Sequence, residues 1–200
     1  QEISSHPSQN SRIKQPEINI SSKNLNDGLL GRTPWHQDAG VLNKRGQKST
    51  ELITCWIPLT NTKKINGSML AIKGSHKFGL VNHHKGSKGQ VEIKNNELLN
   101  KLKTFPLEAK IGDIILLNKY LIHCSGPNNS KNFRISLDLR YNKNGQPSGR
   151  EPLPSFVVKS KNKNNIKIKN FKQWITLWEK AKEKCLSRKY TFKYPLPTFK

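Results

Sequence analysis

The chain has 200 residues, 36 Lys and Arg against 13 Asp and Glu for a formal charge of +23, and 33% hydrophobic residues. That length fits a single domain, 1–200, loop-rich because its apolar share falls below the ~45–50% usual for globular chains, and no apolar run approaches the ~18–20 residues of a membrane span. The charge reads as a solvated surface and not as a nucleic-acid site, because Lys outnumbers Arg 29 to 7 beside 21 Asn, whereas sequence readers rely on arginine forks.

In chain order, residues 1–32 form a polar lead-in broken by Pro7, Pro16, Gly28 and Gly31, a loop or an extended edge. Residues 50–59 (TELITCWIPL) are rich in β-formers; Asn66-Gly67 is a two-residue hairpin signal and residues 68–72 return, which predicts a β-hairpin. Residues 73–90 hold Gly, His and Lys without periodicity and read as a long exposed loop, with a short helix over 95–103. Short apolar runs at 113–117 and 120–124 predict strands.

The segment 133–141 alternates strictly. Phe133, Ile135, Leu137, Leu139 and Tyr141 are apolar, while Arg134, Ser136, Asp138 and Arg140 are polar, so one strand has a greasy face and a charged face. Residues 142–200 are a C-terminal extension, irregular apart from a strand near 155–158 and a helix over about 171–184. Trp174, Leu177, Trp178 and Ala181 recur there at helical spacing, an amphipathic helix laid on a sheet. Short strands with turn signals and one late helix define a mainly β jelly roll or sandwich, not a parallel α/β sheet. Cys55, Cys124 and Cys185 have no paired spacing, which points to a reducing, cytoplasmic setting. Oligomeric state is open.

The chemistry centres on Trp35-His36-Gln37-Asp38. In an extended segment His36 and Asp38 project from the same face and can share one ion. His123, in a predicted strand, is the candidate third ligand; two imidazoles and a carboxylate make the facial triad of non-haem Fe(II) oxygenases. Eleven residues on, Arg134 would need an anion if its face points inward. Arg134 with Ser136 suits the distal carboxylate of 2-oxoglutarate. The other reading has that face in solvent, with Arg134 paired to Asp138, and an Asp138–Arg140 pair is a further option. His76, His83 and His84 do not read as a second metal site, Cys124 reads as core, and Arg12 and Lys14 read as solvated cations able to reach an anionic substrate.

Thr33-Pro34-Trp35-His36-Gln37-Asp38-Ala39-Gly40, Trp56-Ile57-Pro58-Leu59, Asn66-Gly67, Gly74-Ser75-His76-Lys77, Gly112-Asp113, His123-Cys124-Ser125-Gly126-Pro127-Asn128 and Arg134-Ile135-Ser136 occur in that order. Together they resemble the phytanoyl-CoA dioxygenase family of Fe(II)/2-oxoglutarate oxygenases over roughly 33–141, with weaker likeness on both sides, as in its bacterial members. The resemblance implies a double-stranded β-helix, the jelly roll of the cupins. It implies Fe(II) on His36, Asp38 and His123, 2-oxoglutarate on Arg134 and Ser136 with further contacts at Trp56, Ser125 and Gln37, and O2 as oxidant. The implied reaction hydroxylates an aliphatic C–H of a small organic substrate and releases succinate and CO2; a carboxylate at 38, where related halogenases have a small residue, implies hydroxylation. Family members carry more chain upstream, so an N-terminally incomplete domain is expected. Two other readings are a nucleic-acid demethylating oxygenase of the same superfamily, which the charge favours, and a truncated, non-catalytic jelly-roll binding domain.

Overall fold

The structure is a computed structural model that describes residues 2–21, 32–86, 90–93, 99–100 and 102–187. Its strands are β1 (Ile3–Ser5), β2 (Asn10–Lys14), β3 (Ile53–Pro58), β4 (Met69–Ile72), β5 (His84–Lys85), β6 (Val91–Glu92), β7 (Thr104–Leu107), β8 (Ile115–Asn118), β9 (His123–Ser125), β10 (Arg134–Lys143) and β11 (Phe156–Lys159). Among the described residues, α-helices include α1 (Lys44–Ser49) and α2 (Phe171–Ser187). The larger sheet runs β11-β1-β10-β3-β8, with β2 also paired to β10; the smaller runs β7-β4-β9, and β5-β6 form a ribbon. Every pairing is antiparallel, and the result is a mainly β jelly roll.

The spine of the larger sheet is β10. One edge pairs with β3 from Ser136 to Tyr141; the other takes β2 along Arg134–Asp138 and then β1 along Tyr141–Lys143. The polar lead-in is therefore partly sheet, the extended-edge form of the reading. Along β10 the even residues Arg134, Ser136, Asp138, Arg140 and Asn142 are buried, the odd ones up to Tyr141 half-buried and Lys143 exposed. The charged face is the inward one, which removes the reading that placed it in solvent.

Between the sheets, Trp56 and Leu117 pack with Met69 and Ala109, and a second cluster joins Ile72, Ile93 and Ile122 to Trp35. Burying each large apolar side chain contributes roughly 1.5–3 kcal/mol. In α2 a stripe of Trp174, Trp178, Ala181 and Cys185 follows helical spacing; Phe171 stacks on Trp174 at 5.5 Å and Ala181 and Cys185 are buried. The Asn170 side chain accepts the Gln173 N–H at 3.0 Å and caps the helix start. Among the described residues no helix is long and apolar enough to cross a membrane. All three cysteines are free.

Two local readings need correction. The strands around Asn66-Gly67 exist but do not form a hairpin: β3 lies in the larger sheet and β4 in the smaller, and the connection is pinned by bridges from Thr62 to Ala109 and Asn66 to Asn128. The dipeptide specifies a turn, with Gly67 at φ +84°, and a turn does not dictate which strands pair. Residues 73–90 are not simply an exposed loop: Ser75 is fully buried and accepts the Ile122 N–H at 2.8 Å, and β5 pairs with β6. The helix expected over 95–103 falls largely outside the described residues; of it, Leu99 and Asn100 are helical, and β7 starts at Thr104.

The lead-in also carries a buried imidazole. His6 Nδ1 accepts the Ser8 N–H at 3.1 Å, so Nε2 carries the proton and donates to the Ser148 carbonyl at 2.8 Å. Burial, and then the nearby arginines, push its pKa down to about 4 although the Ser148 contact opposes this. The folded state thus resists a proton that the unfolded chain accepts near 6.5. Stability is complete above pH 6.5 and falls as pH drops toward 4, by roughly 3 kcal/mol from this group. Urea denaturation at stepped pH should show that slope flattened in His6→Gln; an unchanged slope refutes the assignment.

Candidate metal centre

His36 and His123 face each other as a hydrogen-bonded pair, each N–H donating to the other's carbonyl at 3.0 Å. One residue pair further along, the Ser125 N–H donates to the Thr33 carbonyl and the Thr33 N–H to the Ser125 hydroxyl, so residues 33–36 extend the smaller sheet beside β9. Gln37 is extended and Asp38 opens a short 3-10 turn, Asp38–Val41. Period-two alternation places His36 and Asp38 on one side, as expected, and Gln37 on the other.

The donor atoms of His36, Asp38 and His123 all lie within 4.8 Å of one another, the one such cluster among the described residues. Each imidazole is oriented by its other nitrogen. His36 Nδ1 lies 2.9 Å from the Pro34 carbonyl and His123 Nδ1 2.9 Å from the Leu121 carbonyl. A carbonyl only accepts, so both Nδ1 atoms carry hydrogen and both Nε2 lone pairs are left for a metal. Burial, and then His123, push the His36 pKa down to about 3, which keeps it in the neutral form that a metal requires.

Asp38 is 1% exposed. Its Oδ1 accepts from Arg140 Nε at 3.2 Å and Nη2 at 2.8 Å, and its Oδ2 from the Thr54 hydroxyl at 2.6 Å. Burial opposes its ionisation, yet Arg140, then the two histidines and Thr54, outweigh it and hold the carboxyl well below the usual range. Arg140 is in turn held by the Ser8 carbonyl at 3.1 Å. This corrects the Asp138–Arg140 option. Arg140 serves the metal-side carboxylate, while Asp138 pairs with Arg12 at 3.3 Å. Sequence position hid this because the partner sits 102 residues away.

A cleft of about 120 Å³ opens beside the histidines, lined by Trp56, Ser125, Arg134 and Lys14 among others. Arg134 is 3% exposed; Nε donates to the Gly67 carbonyl at 3.2 Å, Nη1 to the Ser136 hydroxyl at 2.7 Å, and the guanidinium lies 5.5 Å from the Trp56 ring centre. Among the described residues no carboxylate pairs with it, so the Arg134–Asp138 pair is not formed. Burial lowers its pKa to about 10, leaving it charged at neutral pH. Ser136 thus supports Arg134 from below, and Trp56 and Ser125 stand in the cleft wall.

Gln37 corrects another expectation, because it faces away from the cleft. Its amide donates to the carbonyls of Gly79 and Tyr120 at 2.8 and 2.7 Å and its oxygen accepts the Val81 N–H at 2.9 Å. It braces the metal strand instead of touching a cosubstrate, and alternation at 36 and 38 implies as much. Behind it His83 Nε2 accepts the Gln37 N–H at 3.0 Å and the ring fills the space over Gly40, where a Cβ would sit 2.6 Å from it. His84 contacts Glu92 at 3.0 Å. Cys124 is buried, its thiol pushed up to about 12 by burial.

A jelly roll that gathers two imidazoles and a carboxylate between its sheets, with a buried arginine in the same cleft, has the donor set of a non-haem iron oxygenase. The family model described as Phytanoyl-CoA dioxygenase (PhyH) matches residues 3–136, and the chain belongs to that family. It is 34% identical over 131 residues to phytanoyl-CoA dioxygenase 1 of Oryza sativa subsp. japonica, covering 64% of this chain and 45% of that protein. The chain therefore spans less than half the length of that relative. Among solved structures it superposes on the apo form of the non-heme monooxygenase ThoJ with a TM-score of 0.65 at 18% identity, over 94% of this chain and 66% of that one. It also matches EvdO2 from Micromonospora carbonacea var. aurantiaca complexed with 2-oxoglutarate, with a TM-score of 0.54 at 16% identity over 73% and 55% of the two chains.

Proposed function

We propose that this chain is the catalytic core of an Fe(II)- and 2-oxoglutarate-dependent dioxygenase that hydroxylates an aliphatic C–H bond of a small organic molecule. The observation that carries this reading is the convergence of His36, Asp38 and His123 with their second nitrogens and oxygens already committed to the protein. When bound, the iron couples O2 and 2-oxoglutarate to oxidation of the substrate, with succinate and CO2 released. His36, Asp38 and His123 would hold the metal. Arg134, supported by Ser136, receives the distal carboxylate of 2-oxoglutarate in a site where burial strengthens the contact. Trp56 and Met69 exclude water around it, and both border the cleft. The carboxylate at 38 supports hydroxylation, since it stands where related halogenases have a small residue.

The test is anaerobic titration of the purified chain with Fe(II) and then 2-oxoglutarate. A weak visible charge-transfer band should grow with the cosubstrate and be absent in His123→Ala. Wild-type protein that binds Fe(II) but yields no band with 2-oxoglutarate overturns the reading.

A further inference from the structure

Met69 is the only methionine of the chain and is 7% exposed. On β4 it lies directly opposite Ser125 of β9, and Ala71, two residues on, lies opposite His123. Residues two apart share a face, so Met69 and His123 are diagonal neighbours on one side of the smaller sheet. The Cβ atoms of such a pair lie roughly 7 Å apart, within reach of long side chains. Both residues line the cleft of about 120 Å³ described above. The thioether and the His123 imidazole therefore project into one small space.

A site that uses O2 must also keep the oxidant from its own walls. A bound substrate takes the oxygen atom first; without one, the most readily oxidised group in the cleft does. Three oxidisable side chains besides the ligands border it, Met69, Trp56 and Cys124. Burial pushes the Cys124 thiol up to about 12, so it stays protonated and reacts slowly. Oxidation of Trp56 breaks an aromatic system whose electron density faces the Arg134 guanidinium, 5.5 Å from the ring centre. The thioether pays no such penalty, because sulfur takes an oxygen atom on a lone pair with no bond broken and no proton moved.

We propose that Met69 is a modification site of the chain's own chemistry, oxidised to the sulfoxide when 2-oxoglutarate and O2 are consumed without a substrate. This rests on the 2-oxoglutarate reading above. Sulfur gives two electrons to one oxygen atom of O2 and the S–O bond forms. The other oxygen atom enters succinate as 2-oxoglutarate loses CO2. The sulfoxide then sets a polar oxygen among Trp56, Ala109 and Leu117, which pack on Met69 in the unmodified wall.

The experiment incubates the full chain with Fe(II), 2-oxoglutarate and O2 enriched in its heavy isotope, with no substrate added. Succinate is measured, and the tryptic peptides are weighed by mass spectrometry. Trypsin releases residues 65–73 as one peptide, in which Met69 is the sole sulfur. That peptide should gain the mass of one heavy oxygen atom, in an amount that rises with succinate. The gain should be absent when 2-oxoglutarate is left out and in His123→Ala. Succinate released while this peptide stays unlabelled, label carried by the Trp56 peptide instead, or equal labelling without 2-oxoglutarate overturns the assignment. Wild-type protein that binds Fe(II) yet releases no succinate overturns the cosubstrate reading itself, a distinguishable failure.

Discussion

Exchange of Arg140 for methionine should lower the stability of the metal-free protein by about 3–5 kcal/mol, the usual cost of leaving a buried charge without its partner. Asp38 has two of its contacts from this one guanidinium, and only the Thr54 hydroxyl remains without it. A divalent ion on His36, Asp38 and His123 supplies positive charge at the same carboxylate. The loss should therefore shrink when Mn(II) is added, so that the metal-induced gain in urea midpoint is larger in Arg140→Met than in wild type. Urea curves with chelator and with Mn(II) decide it. A cost below 1 kcal/mol, or one indifferent to metal, would show that Arg140 does not offset Asp38.

Arg134→Gln should weaken 2-oxoglutarate binding about 100-fold, roughly 3 kcal/mol for a buried bidentate contact to a carboxylate. Glutamine retains a donor for the Ser136 hydroxyl but carries no charge. Metal affinity should be unchanged, because the contacts of Arg134 are Gly67, Ser136 and the Trp56 face, none of them a metal ligand. Titrating Mn(II) first and cosubstrate second separates the two effects. A parallel loss of metal binding would mean that Arg134 shapes the site as a whole, and an unchanged cosubstrate affinity would move the carboxylate site elsewhere.

Local chemistry made much of this site readable. Alternation over 133–141 marked a two-faced strand, and extended geometry at 36–38 put two ligands on one side. What alternation leaves undecided is which face points in. Apolar faces usually do, yet in β10 the charged face lines the cleft because its charges meet partners there, Asp38 for Arg140 and Arg12 for Asp138. Those partners come from distant elements and leave no trace in local spacing. The same holds for Lys14, whose burial follows from its register on β10, and for His83, whose Lys- and Gly-rich surroundings read as solvent although its ring packs on Gly40. Asn66-Gly67 shows the converse: a strong local signal was correct about the turn and silent on its destination, which is a crossing between sheets that delivers the Gly67 carbonyl to Arg134.

The burial pattern of β10 also bears on how this chain can vary. Substitutions along the strand act one position at a time, but inserting or deleting a single residue ahead of Arg134 would rotate every later side chain to the opposite face. Isoleucine, leucine and tyrosine would then fill the cleft, while both arginines turned outward, one leaving Asp38 and the other Trp56. Length, more than residue identity, is the property of this segment that inheritance has least freedom to alter.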